Sequence, residues 1–345
     1  MKRTNVHIEI VSTTISGLSS MSKRSRDAAQ AALSLYYTNV DITIINDLSD
    51  LEDLVERKPD LVFLGMQFLL ENPSLGIKAS PKIWISEYLD EVGIAYTGSC
   101  QPAHELERSK PLAKRCVQTA GVKTSPFMVI EKNTLFAKSD IKLPFPLFVK
   151  PSSSGGGVGI DDKSLVHNFE ELRAKVMSIS TNHRSDSLIE AYLPGREFSV
   201  AILADEFSDE PAVMPIELKA MANENGEHLL SQAVKSANTE EVYGVTEGSV
   251  RDNVVSLALR AFYALGARDY ARIDIRLDRD GAPNFIEANL IPSLIDGYGS
   301  FPKSCYINAD MGYEAMLVHI VRLALQRWVR VDMSNISEEI VSNRV

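Results

Sequence analysis

Three oxygen-bearing side chains near the end of the chain, Asp274, Glu287 and Asn289, have types and spacing suited to metal chemistry. They lie in the segments ARIDIRLD and PNFIEANL, whose alternation of apolar and polar residues is typical of paired strands. Side chains two apart on a strand share a face, so pairing would place all three acceptors together. Such oxygens bind Mg2+, which also takes nucleotide phosphates. The sequence therefore predicts a site for a metal-bound nucleotide.

A lysine followed by a flexible loop is a second candidate element, and it suits phosphate binding. Lys150 ends the apolar segment FPLFVK, and the loop PSSSGGGVG follows it at residues 151–159. The ammonium group and the backbone N–H groups of such a loop can bind phosphate oxygens. The pattern is neither GxxxxGK[ST] nor GxGxxG, because the lysine precedes the glycines. A flexible surface linker would have the same composition, so the loop alone does not decide the function.

The segment LIEAYLPGREFSV at residues 188–200 has a form that suits a purine ring. A strand over Ser187–Glu190 breaks at 193–195 and restarts at Glu197. Such a turn leaves backbone N–H and C=O groups free for an adenine edge, while the two carboxylates could bind the exocyclic amine and the ribose. Taken alone, the pattern is that of an ordinary strand and turn. The adenine interpretation is strengthened by Lys150 and the metal acceptors, which lie on either side of this segment in the sequence.

Arg272 lies two residues before Asp274 and should point to the same face of its strand. A guanidinium is always charged, so it can bind a carboxylate or stabilise a tetrahedral oxyanion beside the metal. A structural ion pair with Asp274 or Glu287 would explain the residue equally well. A glycine-broken loop that could line a substrate subsite follows, with Ser293, Tyr298, Gly299 and Ser300.

Composition limits the class of protein. The 345 residues, 45% of them apolar, are too many for one compact core and predict two or three lobes with a cleft between them. A net charge of -10 and a pI near 5.2 disfavour nucleic-acid and anionic-membrane partners, which need a basic face. The three cysteines are far apart and form no CxxC, which favours a reducing cytoplasm. No apolar run reaches the roughly 18 residues of a membrane span, and the start lacks a signal-peptide pattern.

The residues before 105 alternate strand and helix patterns, which predicts a parallel sheet with helices on both faces. No glycine fingerprint follows the first strand, which argues against a dinucleotide-binding dehydrogenase. The pattern predicts strands at Val6–Val11, Asp41–Ile45, Leu61–Leu64 and 94–99, and helices at Lys23–Tyr37, Leu51–Arg57 and Lys82–Val92.

The later part of the chain mixes strands and helices without regular alternation and is predicted to be α+β. Ser109 has the residue type of an N-cap for a helix that runs to Ala120, where Gly121 is a stop signal. The polar tail after Val331 should be loosely held. We predict domains at 1–105, 106–190 and 191–330, followed by the tail at 331–345. Further strands are predicted at 145–150, 187–190, 198–203, 213–217, 271–277 and 284–289, with helices at 164–179, 251–265 and 313–328.

Taken in order, these segments resemble the ATP-grasp superfamily, and specifically the D-alanine–D-alanine ligases. The resemblance spans roughly residues 1–330 and is strongest from Tyr96 onward. It implies a three-domain fold of α/β and α+β type, with a Rossmann-like parallel sheet in the first domain and ATP between two antiparallel sheets of the others. The segments that carry it are AYTGS at 95–99, SKPLAKRCVQTAGV at 109–122, FPLFVKPSSSGGGVGI at 145–160, LIEAYLPGREFSV at 188–200, Lys235 in SQAVKS, and ARIDIRLDRDGAPNFIEANLIPS at 271–293.

The resemblance also implies roles for the matching residues. Asp274, Glu287 and Asn289 would bind two Mg2+ ions, for which Mn2+ could substitute. The implied substrates are ATP, an amino acid or short peptide and an amine, and the implied assembly is a homodimer. Lys235 would contact the terminal phosphates, Arg272 the tetrahedral intermediate, and Ser293 would lie at the oxyanion site. The implied nucleotide-binding set is Lys114, Lys150, Ser154, Gly156, Gly157, Glu190, Ala191, Leu193 and Glu197.

This chain departs from the ligase pattern around the first amino acid. The glutamate of the family's first glycine-rich turn is missing from STTISGLSSMS at 12–22, and GMQFLLENPSLGIKAS at 65–80 replaces the His-Gly and Gly-Glu-Asp-Gly signature. The serine of the phosphate loop falls on Gly156, and the tyrosine after the late lysine falls on Ser236. A hydrogen bond to a charged group is worth about 1.5–3 kcal/mol, so these losses predict altered amino-acid substrates.

The sequence as a whole predicts an ATP-dependent carboxylate–amine ligase that forms an amide bond through an acylphosphate. The first alternative is an authentic D-alanine–D-alanine ligase of cell-wall synthesis, which turnover of D-alanine at an ordinary enzymatic rate would favour. The second is a non-catalytic nucleotide-binding protein. The presence of Lys150, Lys235 and all three metal acceptors disfavours that alternative.

Overall fold

A small parallel sheet forms the first part of the molecule, as the alternation of strand and helix patterns predicts. The structure, a computed structural model, describes residues 3–153, 155, 157–222 and 226–342. The sheet has the order β2-β1-β3, with all strands parallel. Ser22 caps the first helix, and Asp47 and Asp50 form a capping box at the second. The elements are β1 (Thr4–Ser12), α1 (Lys23–Leu33), β2 (Tyr37–Ile44), α2 (Leu48–Glu56) and β3 (Leu61–Leu64).

A hairpin and four helices follow, and here two predictions need correction. Residues 82–84 begin no helix; they pair with residues 68–70, because Trp84 packs its ring edge-on against Phe68 with 5.2 Å between ring centroids. The predicted strand at 94–99 forms only a single bridge, between Tyr96 and Val62. The elements are β4 (Phe68–Leu70), α3 (Gly76–Ala79), β5 (Lys82–Trp84), α4 (Ile85–Val92), α5 (Gln101–Arg108) and α6 (Lys110–Thr119).

The middle of the chain forms an antiparallel sheet of order β6-β9-β7-β8. The predicted helix at 164–179 begins later, since Leu165 and Val166 pair with the strand at 147–151 and Asn168 caps the helix. The strand at 127–130 was not predicted. The elements are β6 (Phe127–Ile130), β7 (Leu147–Pro151), β8 (Leu165–Val166), α7 (Phe169–His183) and β9 (Ser187–Ala191).

A second antiparallel sheet, of order β12-β11-β10-β13-β14, forms the last part of the molecule. Its strands include the two that hold the predicted metal acceptors, and these two pair with each other. The elements are β10 (Glu197–Leu203), β11 (Ala212–Lys219), α8 (Gln232–Ala237), β12 (Glu241–Gly244), α9 (Gly248–Ala264), β13 (Tyr270–Leu277), β14 (Pro283–Asn289), α10 (Ser300–Ala309) and α11 (Tyr313–Ser342).

The last helix joins the first and last sheets. Leu317 and Val321 of α11 share a core cluster with Ile8 and Phe63 of the parallel sheet and with Tyr270 of β13. The prediction that this helix ends near residue 328 is wrong, because the backbone stays helical to 342. That the segment after Val331 is loosely held stays a prediction. No glycine or proline interrupts residues 313–342, so nothing in the sequence stops the helix. No helix in the described part of the chain is long and apolar enough to cross a membrane.

Candidate active site

Strands β13 and β14 bring the predicted metal acceptors onto one face. Asp274 lies directly opposite Glu287, and Arg272 lies directly opposite Asn289. Because residues two apart on a strand share a face, all four side chains lie on the same side of the sheet. Ser199 of the adjoining β10 donates a hydrogen bond of 3.0 Å to Asp274 Oδ1. The shared face predicted from the alternating pattern is confirmed.

Arg272 and Asp274 form a bidentate ion pair. Arg272 Nε and Nη2 donate to the two carboxylate oxygens of Asp274 at 2.9 Å each. Asn289 Nδ2 lies 3.5 Å from Asp274 Oδ2. Burial alone would lower the pKa of Arg272, but the carboxylates of Asp274 and Glu287 raise it. The structure therefore places a fixed positive charge directly beside the predicted metal ligands.

Glu287 is surrounded by positive charge. Its Oε2 lies 3.2 Å from Lys110 Nζ. Burial would raise its pKa, but Lys110, then Lys150, Lys235 and Arg272, lower it, so the carboxylate is ionised at neutral pH. Carboxylate oxygens on adjacent strands fit Mg2+, and the cations around them fit a polyphosphate. The residues present therefore suit a magnesium nucleotide.

A second group of charges lies on the central sheet. Lys114 Nζ lies 2.5 Å from Glu190 Oε1, and Lys150 Nζ lies 2.8 Å from Glu190 Oε2. All three side chains are buried. Burial opposes ionisation of Glu190, but the two ammonium groups lower its pKa to about 2. Burial likewise opposes the charge of Lys150, and the attraction of Glu190 leaves its pKa raised.

A cleft lies between the central and last sheets and joins these two charged groups. Its empty volume, including the part open to solvent, is about 630 Å³. Apolar side chains, among them Phe148, Leu193 and Ile286, line part of it, which suits a flat aromatic ring. Of the predicted site residues, those that line the cleft are Lys150, Glu190, Ala191, Leu193, Glu197, Lys235, Asp274 and Glu287.

Glu197 and Lys235 both line this cleft, and hydrogen bonds fix the Glu197 side chain and the backbone at Lys235. Arg276 Nη1 donates to Glu197 Oε2 at 2.9 Å, and the same guanidinium donates to the carbonyls of Gly195 and His228. Lys235 lies on the short helix α8, whose backbone is fixed by a hydrogen bond of 2.5 Å from Tyr298 Oη to the Lys235 carbonyl. The loop that follows β14 therefore positions the helix that carries the predicted phosphate ligand.

Several predicted residues lie outside the cleft lining. Lys114 lies behind it, where its ammonium group donates to Glu190, to Thr124 at 2.5 Å and to the Phe285 carbonyl at 3.3 Å. Arg272 and Asn289 are not part of the lining, but both contact Asp274, which is. Ser293 Oγ is buried without a hydrogen-bond partner among the described residues. Gly157 lies near α8, where an added Cβ would meet Gln232 Cα at 3.4 Å. Ser154 and Gly156 are outside the described residues.

The sequence did not single out Lys110 or Arg276, which the structure places beside and in the lining of the cleft. Lys110 lies in the quoted segment SKPLAK, and Arg276 continues the period-two series from Arg272 and Asp274. That series is the signal that could have identified Arg276.

The chain is similar to proteins of known family. Residues 116–322 match the family model described as D-ala D-ala ligase C-terminus. The chain belongs to the D-alanine–D-alanine ligase family. The ATP-grasp family and an ATP-dependent enzyme that forms C–N bonds, both expected from the sequence, are confirmed by this membership.

Sequence relatives match between two thirds and four fifths of the chain, and a solved structure matches more of it. An uncharacterised protein of Sinorhizobium fredii is 30% identical over 293 residues, which are 81% of each chain. A D-alanine–D-alanine ligase of Hydrogenovibrio crunogenus is 28% identical over 244 residues, covering 70% of this chain and 73% of that ligase. A structure of the Bacillus anthracis D-alanine–D-alanine ligase complexed with ATP has a TM-score of 0.71 at 19% identity, covering 94% of this chain and 99% of that one. The structural likeness confirms the fold class.

Proposed function

We propose that this ligase joins the carboxylate of an amino acid or short peptide to an amine, and that its substrates differ from two molecules of D-alanine. The observation that supports the proposal best is the cleft in which Lys150 and Lys235 face Asp274 and Glu287. The ammonium groups and carboxylates that together line this cleft suit a metal-bound triphosphate. ATP is the nucleotide, and Mg2+ is the metal that we expect there.

The reaction would proceed in two balanced steps. A substrate carboxylate oxygen bonds to the γ-phosphorus of ATP while the bond to the β-phosphate oxygen breaks, which gives an acylphosphate and ADP. The amine then attacks the acyl carbon, loses a proton and expels phosphate. A bound metal neutralises phosphoryl charge. Lys150 and Lys235 would neutralise phosphate charge, and Arg272 would stabilise the oxyanion of the second step.

The loop at residues 12–22 supports the proposal that the substrates differ from two molecules of D-alanine. It contains no acidic residue, and most of its hydroxyl groups are hydrogen-bonded within the first lobe. Thr13 Oγ1 donates to Asn46 Oδ1 at 2.8 Å, and the hydroxyls of Ser19 and Ser20 donate to the Gly65 carbonyl at 2.9 and 3.1 Å. These groups are engaged within the lobe, so we expect recognition of the first amino acid to depend on other residues.

The test is a screen for ADP release over pairs of D- and L-amino acids, short peptides and small carboxylic acids, with ATP and Mg2+. We expect one class of pairs to release ADP and phosphate in equal amounts with formation of an amide. Efficient turnover of D-alanine alone would favour the cell-wall ligase instead. ATP binding without ADP release from any pair would favour a non-catalytic nucleotide-binding protein, which is the candidate of a different class.

A further inference from the structure

A histidine and two carboxylates meet on the parallel sheet of the first lobe, outside the nucleotide cleft. His7 and Glu9 lie two residues apart on β1 and share a face, and Asp41 of β2 lies directly opposite Glu9 on that face. One possible ligand atom from each of the three lies within 4.8 Å of the other two. Within the described part of the chain, this is the one such group of three or more His, Cys, Asp or Glu side chains. Imidazole nitrogen and carboxylate oxygen are both ligands of transition-metal ions.

The spacing of these atoms fits a tetrahedral metal ion. His7 Nε2 lies 3.4 Å from Glu9 Oε1 and 3.4 Å from Asp41 Oδ2. Both contacts are longer than the roughly 2.7–2.9 Å of a charge-assisted hydrogen bond, so a shared proton does not account for them. Bonds of roughly 2.0–2.2 Å from tetrahedral zinc to such ligands place neighbouring ligand atoms about 3.4 Å apart. Three protein ligands then leave the fourth position to water.

Neighbouring side chains fix the orientation of the Glu9 carboxylate. Glu9 is 1% exposed, and Arg57 Nε donates to its Oε1 at 2.7 Å. The Thr43 hydroxyl donates to Glu9 Oε2 and accepts a hydrogen bond of 2.8 Å from Arg57 Nη2. Hydrogen bonds of this kind orient the carboxylate ligands of metal sites. Because a carboxylate oxygen has two acceptor positions, Oε1 can keep the bond from Arg57 and still bind a metal ion.

A pocket between this face of the sheet and α2 gives a metal ion access to the three ligands. Its empty volume, including the part open to solvent, is about 780 Å³. Asp50 and Asp53 of α2 also line it. Arg57 is the one lysine or arginine of the lining, and it is already paired with Glu9. The lining therefore has an excess of negative charge, which attracts a cation.

We propose that His7, Glu9 and Asp41 form a binding site for a divalent metal ion, and that this ion is Zn2+, which joins β1 to β2 and stabilises the first lobe. Mg2+ fits the group less well, because it requires octahedral geometry and prefers oxygen ligands alone. The pocket and the nucleotide cleft share no lining residue, so this site goes beyond the proposed ligase function and does not depend on it.

The test is a calorimetric titration with Zn2+ of the full-length protein after treatment with a chelator. Excess Mg2+ is present to occupy sites that consist of oxygen donors alone. The variants are His7→Gln and Asp41→Asn, each of which removes one ligand. The matched control is Asp53→Asn, which removes a carboxylate from the same pocket but no ligand. Thermal melting without metal establishes that each variant is folded, and Asp41, whose side chain is 65% exposed, should tolerate its substitution.

We expect wild type and Asp53→Asn to bind one Zn2+ ion with similar affinity and to melt at a higher temperature when Zn2+ is present. His7→Gln and Asp41→Asn should each bind Zn2+ at least tenfold more weakly, because substituting even a residue that only supports a ligand typically lowers metal affinity about 10- to 100-fold. Absence of Zn2+ binding by wild type would overturn the proposal, whether or not the variants fold. Equal Zn2+ affinity in wild type and the two ligand variants would also overturn it. An equal loss in Asp53→Asn would do the same, since negative charge and not coordination would then attract the ion.

Discussion

Lys150 Nζ lies 2.8 Å from Glu190 Oε2, and this buried ion pair joins strands β7 and β9 at the wall of the cleft. On the other side of the same carboxylate, Lys114 Nζ lies 2.5 Å from Oε1. Lys114 comes from α6, which packs against β14 of the last sheet. One carboxylate therefore ties the central sheet to a helix of the neighbouring sheet. The cleft is held in shape by three charges, of which Lys150 and Glu190 also line it.

Glu190→Gln should destabilise the protein strongly. The substitution leaves two buried lysines with a neutral partner, and breaking a buried ion pair typically costs about 3–5 kcal/mol. Urea unfolding followed by circular dichroism measures the loss. Glu131→Gln, which removes an exposed carboxylate just after β6, is the control and should shift the midpoint little. Equal midpoints for the two variants would mean that the triad contributes no net stability.

The low pKa of Glu190 in the folded protein predicts that stability changes with pH in the acid range. Its pKa is about 2 in the folded protein and 4.5 without the fold. Because the folded value is the lower one, the contribution is complete above pH 4.5 and is lost as the pH falls toward 2. Between about pH 4 and pH 3, Glu190→Gln should lose stability less steeply than wild type, by up to about 1.4 kcal/mol per pH unit. Parallel slopes for the two proteins in urea titrations would contradict the assignment.

The local periodicity of the sequence predicts the strand pair that carries the metal acceptors. Alternation places Arg272 and Asp274 on one face, and the structure pairs them there. The ends of the helices are predicted less well than their centres, because strand pairing with distant segments decides where a helix begins. Residues 82–84 and 165–166 continue helical patterns in the sequence but pair with other strands in the fold.

Contacts between distant segments could not be predicted. The bond between Gln67 and Glu107 depends on how α5 docks against the first lobe, 40 residues away. Lys114 was predicted to bind phosphate from its position in a motif, but the packing of α6 against β14 directs its ammonium group to Glu190 and the Phe285 carbonyl. A residue's type and spacing determine which chemistry is available, whereas the packing of its helix determines which partner it meets.

Removing a predicted metal ligand should weaken nucleotide binding only when magnesium is present. We expect Asp274→Asn and Glu287→Gln each to reduce the Mg2+-dependent affinity for ATP at least tenfold. Substituting even a residue that only supports a metal ligand typically lowers metal affinity or activity by about 10- to 100-fold. Calorimetric titration of ATP with and without Mg2+ separates the two contributions. Asp280→Asn, in the exposed turn between the same strands, is the control. If Mg2+ increases the ATP affinity of both variants as much as that of wild type, Asp274 and Glu287 are not metal ligands.

Arg272→Ala should abolish product formation while largely sparing ATP binding. Loss of one group that stabilises a developing oxyanion typically lowers kcat by about 10²–10³. Arg279→Ala removes an exposed arginine from the turn that follows β13 and should leave kcat unchanged. Rates of ADP release and the Kd for ATP are measured for both variants. Unchanged turnover in Arg272→Ala would mean that Arg272 only forms its ion pair with Asp274 and takes no part in the reaction.

Tyr298→Phe should weaken ATP binding through the backbone of α8. The Tyr298 hydroxyl donates to the Lys235 carbonyl at 2.5 Å, so it couples the loop after β14 to the helix that carries the predicted phosphate ligand. One neutral hydrogen bond is worth about 0.5–1.5 kcal/mol, which corresponds to a two- to twelvefold rise in KM for ATP. Tyr306→Phe, at an exposed position on α10, is the matched control. Because Lys235 itself is retained, kcat at saturating ATP should stay close to wild type, whereas Lys235→Ala should lower it. A fall in kcat alone for Tyr298→Phe would instead indicate that its hydroxyl contacts the reacting groups directly.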